Sequence, residues 1–292
     1  MALSHHNGCI RGFNINKERQ LRHLLKAVIP PYITEQLRLR FGGAFQLSGV
    51  YESWESATAV ADGYEVAEIL TTVSESTRRV LAGEAEYERD GVLHETPLCD
   101  FRMLSLLLAV ASRQGGQVSV VDVGGSLAST YLQHRSWFVD LNINWQVLEQ
   151  PHFVTSGNEL FINEPVKFTD FGEGLPDGCD VVLLKSVLQY LASPMDLVAL
   201  ILARRPAFIY LERTPCHEGL EHIITVQRVK AHVYNGYPAS YASWLFARES
   251  LMAALSDGYE IVESFSDELS LLGPGGIKVN YLGAVLRRRD LS

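Results

Sequence analysis

The sequence is poor in three things, and each scarcity excludes something. Cysteine occurs only at Cys9, Cys99, Cys179 and Cys216 in 292 residues. There is no C-x-x-C pair and no adjacent histidine at metal-ligand spacing. That argues against a disulfide framework and a structural metal, and it fits a reducing cytoplasm. Cys179 stands just before an apolar run and reads as a small buried hydrophobe. Apolar runs are also short: none approaches the ~18 residues that cross a bilayer. The first twenty residues hold no apolar core of signal-peptide length. The expectation is a cytoplasmic chain with no membrane span. Peripheral membrane contact is open only for the basic amphipathic stretch from Leu21 to Ile33, whose other use is packing on the protein's own core.

Positive charge is the third scarcity. Lys and Arg number 25 against 34 Asp and Glu, for a net charge of −9. Binding to a nucleic-acid backbone needs clustered cations that release counterions, so no nucleic-acid partner is expected. Two basic patches, Arg11 to Lys26 and Arg287-Arg288-Arg289, read as solvated faces.

The chain changes character near residue 115. Before it the patterns are helical. Tyr64 to Leu81 has helical apolar spacing and stops at Gly83, and Asp100 to Ser112 forms a second helix ended by Gly115-Gly116. Between them, Glu84 to Gly91 reads as a polar link. After residue 115 short apolar runs alternate with helices. Strands are expected at Val118–Val123, Trp145–Glu149, Asp180–Leu184, Ala207–Glu212, Tyr259–Phe265 and Val279–Arg287. The strongest helix, Met195–Ala203, begins behind Ser193-Pro194, a cap and first-turn pair. Continuous apolar strands separated by helices predict an α/β fold with a mostly parallel sheet covered on both faces, closed by an antiparallel last strand. The expected division is a helical N-terminal cap over residues 1–95 and a Rossmann-like domain over 96–292.

The loop after the first of these strands, Asp122-Val123-Gly124-Gly125-Ser126-Leu127-Ala128, is rich in small residues that let a backbone approach a ligand. It falls at the carboxyl edge of the sheet, where open parallel sheets bind ligands. Taken alone it is equally a tight turn. Glu149 closes the next strand, where an acid can accept from ribose hydroxyls; otherwise it is a surface glutamate at a strand end. A dinucleotide loop would read G-x-G-x-x-G, whereas this one reads Gly124-x-Ser126-x-x-Ser129, so a nicotinamide-dependent oxidoreductase is disfavoured.

With Asp122 just before the glycines, the loop resembles the D-x-G-x-G pattern of class I, Rossmann-like, S-adenosylmethionine (SAM)-dependent methyltransferases. More narrowly, the chain resembles a family of methyltransferases often associated with bacterial surface-polysaccharide genes. The resemblance is carried by Gly124 to Tyr131, Glu149-Gln150-Pro151, Asp180 to Leu191, Arg213-Thr214-Pro215 and Val226-Gln227. Upstream, Tyr51-Glu52-Ser53-Trp54 and Tyr87-Glu88-Arg89-Asp90 fit as well. It covers nearly the whole chain. Its departures are Ser126 and Ala128, where the broad pattern and the narrower family respectively have glycine. Ala128 adds one methyl group, tolerable unless the backbone there needs positive φ.

The resemblance implies SAM as cofactor, held by Asp122, Gly124, Gly125, Ser126, Tyr131, Glu149, Gln150, Lys185 and Ser186. It also implies methyl transfer to an oxygen or nitrogen of a small molecule or a sugar or glycan precursor. In similar enzymes the segment after the fourth strand lies under the methyl group, which makes Gln189 and Tyr190 candidates for orienting substrate; the alternative is that they start a packed helix. In the polar cluster Glu212 to His217, Arg213 can grip an acidic group by a forked hydrogen bond. His217 has the intrinsic pKa of a general base, though a lone loop histidine is usually just solvated. Tyr234 to Trp244, with Tyr51 and Trp54, offers aromatic residues for a sugar-binding wall or an ordinary packed loop. A non-catalytic partner protein of the same fold stands as the other reading.

Overall fold

The computed structural model describes residues 45–61, 66–96, 98–171, 174–229 and 239–291. All belong to one compact unit, Phe45–Ser292. Cys9, the basic patch Arg11 to Lys26, the stretch Leu21 to Ile33, the helix start at Tyr64 and the aromatic residues Tyr234 and Tyr237 lie outside the described residues.

In chain order the elements are β1 (Phe45–Tyr51), α1 (Trp54–Val60), α2 (Val66–Leu81), β2 (Tyr87–Arg89), β3 (Val92–His94), α3 (Phe101–Arg113), β4 (Gln117–Val123) and α4 (Ser129–His134). Then follow β5 (Asn142–Glu149), α5 (Pro151–Leu160), β6 (Val166–Asp170), β7 (Val181–Lys185), α6 (Pro194–Arg204), β8 (Phe208–His217), β9 (Ile223–Val229) and β10 (Ala239–Ala247). The last are α7 (Arg248–Leu255), β11 (Tyr259–Leu272) and β12 (Lys278–Arg288). The expected α/β architecture holds. Strands β6, β5, β4, β7 and β8 are parallel neighbours in that order, and β12 is antiparallel beside β8, with β11 outside it.

Strands β6, β9 and β10 add to those expected from the sequence, and two segments of the first part differ from expectation. β1 joins the main sheet by pairing with β9, so the first part of the chain contributes strand as well as helix. Glu84 to Gly91 is no simple link: β2 and β3 form a hairpin around Asp90-Gly91, both with positive φ (53° and 76°). A two-residue turn of that geometry matches the twist of its flanking strands, and Asp-Gly is among its favoured sequences.

Strand periodicity explains how the sheet sorts its side chains. On β4, Val118 and Val120 join the core beneath α3, whereas Val121 and Val123 join the core beneath α6 and α7. α3 presents Met103, Leu104, Leu107, Val110 and Ala111 to the first core, the spacing of one helical face. Each large side chain so buried stabilises by about 1.5–3 kcal/mol. The same period of two carries polar residues to the carboxyl ends of that face: Asp122 after Val120, Glu149 after Val147, Lys185 after Leu183 and Glu212 after Tyr210. Strand order reverses at β4, which has β5 on one side and β7 on the other. The crevice at such a switch point is where open α/β sheets take ligands.

Of the C-terminal arginines, expected to be a solvated face, two are partly buried and paired: Arg287 meets Glu260, and Arg288 meets Asp290. Among the described residues, no helix is long and apolar enough to cross a membrane.

Candidate functional site

A cavity of about 420 Å³ opens over the carboxyl ends of β4 and β7. Of the residues singled out from the sequence, Asp122, Gly124, Gly125, Ser126, Lys185, Ser186, Gln189, Tyr190 and Arg213 line it together. The floor is the turn after β4. Gly124 has φ +67°, and a Cβ there would fall 2.6 Å from Val187 Cγ2. Gly125 has ordinary φ, but a Cβ would lie 2.6 Å from both Cγ and Oδ2 of Asp122. Glycine is thus required at one position by conformation and contact, and at the next by close approach alone.

Ser126 and Ala128, the two departures from the glycine pattern, adopt φ of 54° and 57°. The condition attached to Ala128 is met: its backbone is left-handed. Its methyl is fully buried in the first core, and that burial offsets part of a strain of about 1–2 kcal/mol.

Beneath the turn lies Asp122, 1% exposed, whose Oδ2 has no hydrogen-bond partner. Burial pushes its carboxyl up to about 7, against the pull of the Lys185 charge and of the Trp145 indole N–H beside it. An orphaned buried carboxylate oxygen at a cavity wall is costly to maintain and points to a ligand donor. Lys185 itself is committed. Its Nζ lies 2.7 Å from both Asp100 Oδ2 and Glu212 Oε2, and Tyr210 donates to the Asp100 carboxylate at 3.0 Å. Burial works to raise Asp100, but Lys185 and the donors around it hold the carboxyl below its ordinary value. Asp100 also caps α3, accepting from Met103 N at 3.0 Å. The bridge therefore ties the helix start to the ends of β7 and β8.

Three predicted residues stand elsewhere. Glu149 lies behind the turn, with Oε1 accepting from Ser126 N (3.1 Å) and Oε2 from Gln150 N (2.8 Å). Gln150 contributes that N–H and begins α5. Tyr131 stacks on Phe138 and donates to Glu164 at 2.9 Å, away from the cavity.

His217 does not reach the cavity either. The polar cluster Glu212 to His217 is strand, not loop, and carries His217 to the far end of β8, where it pairs with β10. There the ring is buried and Nδ1 accepts from Gly219 N at 3.0 Å. The second half of the aromatic stretch is also strand, Ala239–Ala247. Trp244 stacks on Trp54 at 6.1 Å, and Tyr51 packs in the same small core. None of these three lines the cavity.

The wall opposite the turn comes largely from residues to which the sequence assigned no role. The β2–β3 hairpin supplies Arg89 and Asp90, β9 supplies Gln227 and β12 supplies Tyr281. Glu88 anchors the hairpin: fully buried, it accepts from Gly91 N at 3.0 Å and from the Ser129 hydroxyl at the start of α4. Gln227 Nε2 donates to Tyr190 Oη at 3.0 Å, and Gln189 Nε2 donates to the Arg213 carbonyl at 3.4 Å. Arg213 has φ +51° and occupies a bulge. Glu212 and Arg213 together oppose Gly283 between the pairs Leu211–Ala284 and Thr214–Leu282. Bulges re-aim side chains, and this one directs Arg213 into the cavity. A neighbouring cavity of about 820 Å³ shares Arg89 and Lys185 as walls.

No protein-family model and no curated protein matches the chain. Among solved structures, it is similar to the N-terminal domain of EvdMO1 in the presence of SAH and D-fucose, at 19% identity over 78% of this chain and 98% of that one, with a TM-score of 0.42. It is similar to SAM-bound CalS10, an amino pentose methyltransferase from Micromonospora echinaspora, at 14% identity over 64% and 90% of the chains, TM-score 0.42. The [4+2]-cyclase SpnF is similar at 13% identity over 82% and 98%, TM-score 0.44.

Proposed function

We propose that this chain is a SAM-dependent methyltransferase that transfers a methyl group to an oxygen or nitrogen of a small molecule or a sugar or glycan precursor. One observation carries the reading: the buried Asp122 carboxyl, its Oδ2 without a partner, beneath a Gly124-Gly125 turn at the switch point of a parallel sheet. A bound SAM would supply an electrophilic methyl on a sulfonium. The residues fit it. Asp122 gives an acceptor, the Gly124-Gly125 turn lies directly on Val187 and Asp122 with no side chain between, and Ser186 and Lys185 form the adjoining wall. Glu149 braces the turn from behind, its two oxygens accepting from Ser126 N and Gln150 N.

The acceptor is held by Gln189, Tyr190 and Arg213, and positioning is the main contribution, because nucleophile, methyl carbon and sulfur must lie in line. Asp90 is the carboxylate at that end able to take a proton. Asp90 is exposed at the cavity mouth, where loss of part of its hydration pushes its carboxyl up, with Arg89 and Arg213 opposing. The β2–β3 hairpin closes one side of the site with Arg89 and Asp90.

The test is transfer of labelled methyl from SAM to a panel of nucleotide sugars and to cell extract. Transfer that is lost in Asp122→Ala supports the reading. S-adenosylhomocysteine binding without transfer to any acceptor would favour the non-catalytic protein of the same fold.

A further inference from the structure

Two guanidiniums face the same cavity. Arg213 is aimed there by the bulge in β8, and its Nε is buried with no partner. Arg89 reaches in from the hairpin and is held by one neutral contact, NH2 donating to Gln133 Oε1 at 2.9 Å. Neither makes an ion pair among the described residues, whereas many of the other arginines there do. Burial lowers the Arg89 pKa, and the Arg213 charge lowers it further, so the two cations repel across the cavity. Asp90 acts on both charges and Glu212 on Arg89, without an ion-pair contact to either. A chain with net charge −9 that sets two cations against each other, with Asp90 and Glu212 near but no carboxylate in ion-pair contact with either among the described residues, has a site shaped for an incoming anion.

We infer that Arg89 and Arg213 form a clamp for an anionic oxygen group, carboxylate or phosphate, carried by the methyl acceptor. The word acceptor rests on the methyltransferase reading; the clamp itself does not. Planar guanidiniums match either anion through paired N–H donors. The second rank of the wall is neutral: Tyr190 and Gln227 bond each other, and Gln189 bonds the Arg213 carbonyl. Those contacts hold the clamp's surroundings without neutralising it. The acceptor class is therefore an acidic or phosphorylated small molecule rather than a neutral sugar.

The experiment titrates inorganic phosphate and, separately, acetate into the full-length protein, with and without saturating S-adenosylhomocysteine, by calorimetry. The expected result is that at least one anion binds the S-adenosylhomocysteine-saturated protein. Arg89→Gln and Arg213→Gln should each weaken it about tenfold or more, with Arg213→Lys retaining part of the affinity. Which anion binds tells phosphate from carboxylate. Urea midpoints of the variants check that they fold, and Arg89→Lys serves if Arg89→Gln does not. Three results would overturn the clamp: no binding of either anion, binding indifferent to both arginines, or phosphate displaced by S-adenosylhomocysteine, which would assign the anion position to the cofactor's own carboxylate. Arginine-dependent anion binding in a protein that ignores S-adenosylhomocysteine keeps the clamp and overturns the methyl-transfer reading.

Discussion

Replacing Asp122 by asparagine should change how stability depends on pH, by an amount the structure sets. The carboxyl rises from an ordinary 3.8 to about 7 because burial disfavours its charged form. Below pH 4 it is protonated in folded and unfolded chains alike and has no pH effect. As pH rises towards 7 the unfolded carboxyl ionises while the folded one keeps its proton, so the unfolded state gains. At about 1.4 kcal/mol per pH unit, stability falls by roughly 4 kcal/mol in all and levels off above pH 7. Between pH 5 and pH 8 the loss is about 2.5 kcal/mol. Asparagine does not titrate, and Glu88 and Glu149, also raised by burial, act equally in both proteins. Urea denaturation of wild type and Asp122→Asn at pH 5, 6, 7 and 8 should show the variant gaining about 2.5 kcal/mol relative to wild type across that range. A difference constant with pH would refute the claim that burial holds the Asp122 carboxyl well above its ordinary range.

Three further outcomes follow from the geometry. Gly125→Ala pushes a methyl onto the Asp122 carboxyl at 2.6 Å, so it should cost about 1–3 kcal/mol in urea stability and weaken S-adenosylhomocysteine binding in calorimetry. Lys185→Met leaves Asp100 and Glu212 facing each other without their shared cation, and thermal or urea melts should show a loss of about 3–5 kcal/mol. Ser126→Gly relieves a left-handed serine; after the extra entropy of the unfolded glycine, the gain should be no more than about 1 kcal/mol in the same melts.

The central strands were legible because a strand buried on both faces needs an unbroken apolar run, as in Val181 to Leu184. Asp122 and the glycine turn were legible because they directly follow such a run. The rest of the wall was hidden for identifiable reasons. The hairpin strands are three residues long, too short for a period of two to register, and their one signal was Asp90-Gly91. β8 continues through Arg213, Thr214 and Pro215, residues that read as loop, because a bulge and pairing with β12 carry it on. His217 was attractive by pKa, but that same continuation carries it beyond the cavity. Arg89, Gln227 and Tyr281 converge from elements far apart in the chain, and no local pattern encodes that meeting.

The central claim is that the turn over Asp122 holds SAM. Calorimetric titration of the full-length protein with S-adenosylhomocysteine and with NADH tests it most directly. The account predicts saturable binding of S-adenosylhomocysteine, weakened in Gly125→Ala, and no binding of NADH. Binding of NADH alone, or of neither compound, would contradict it.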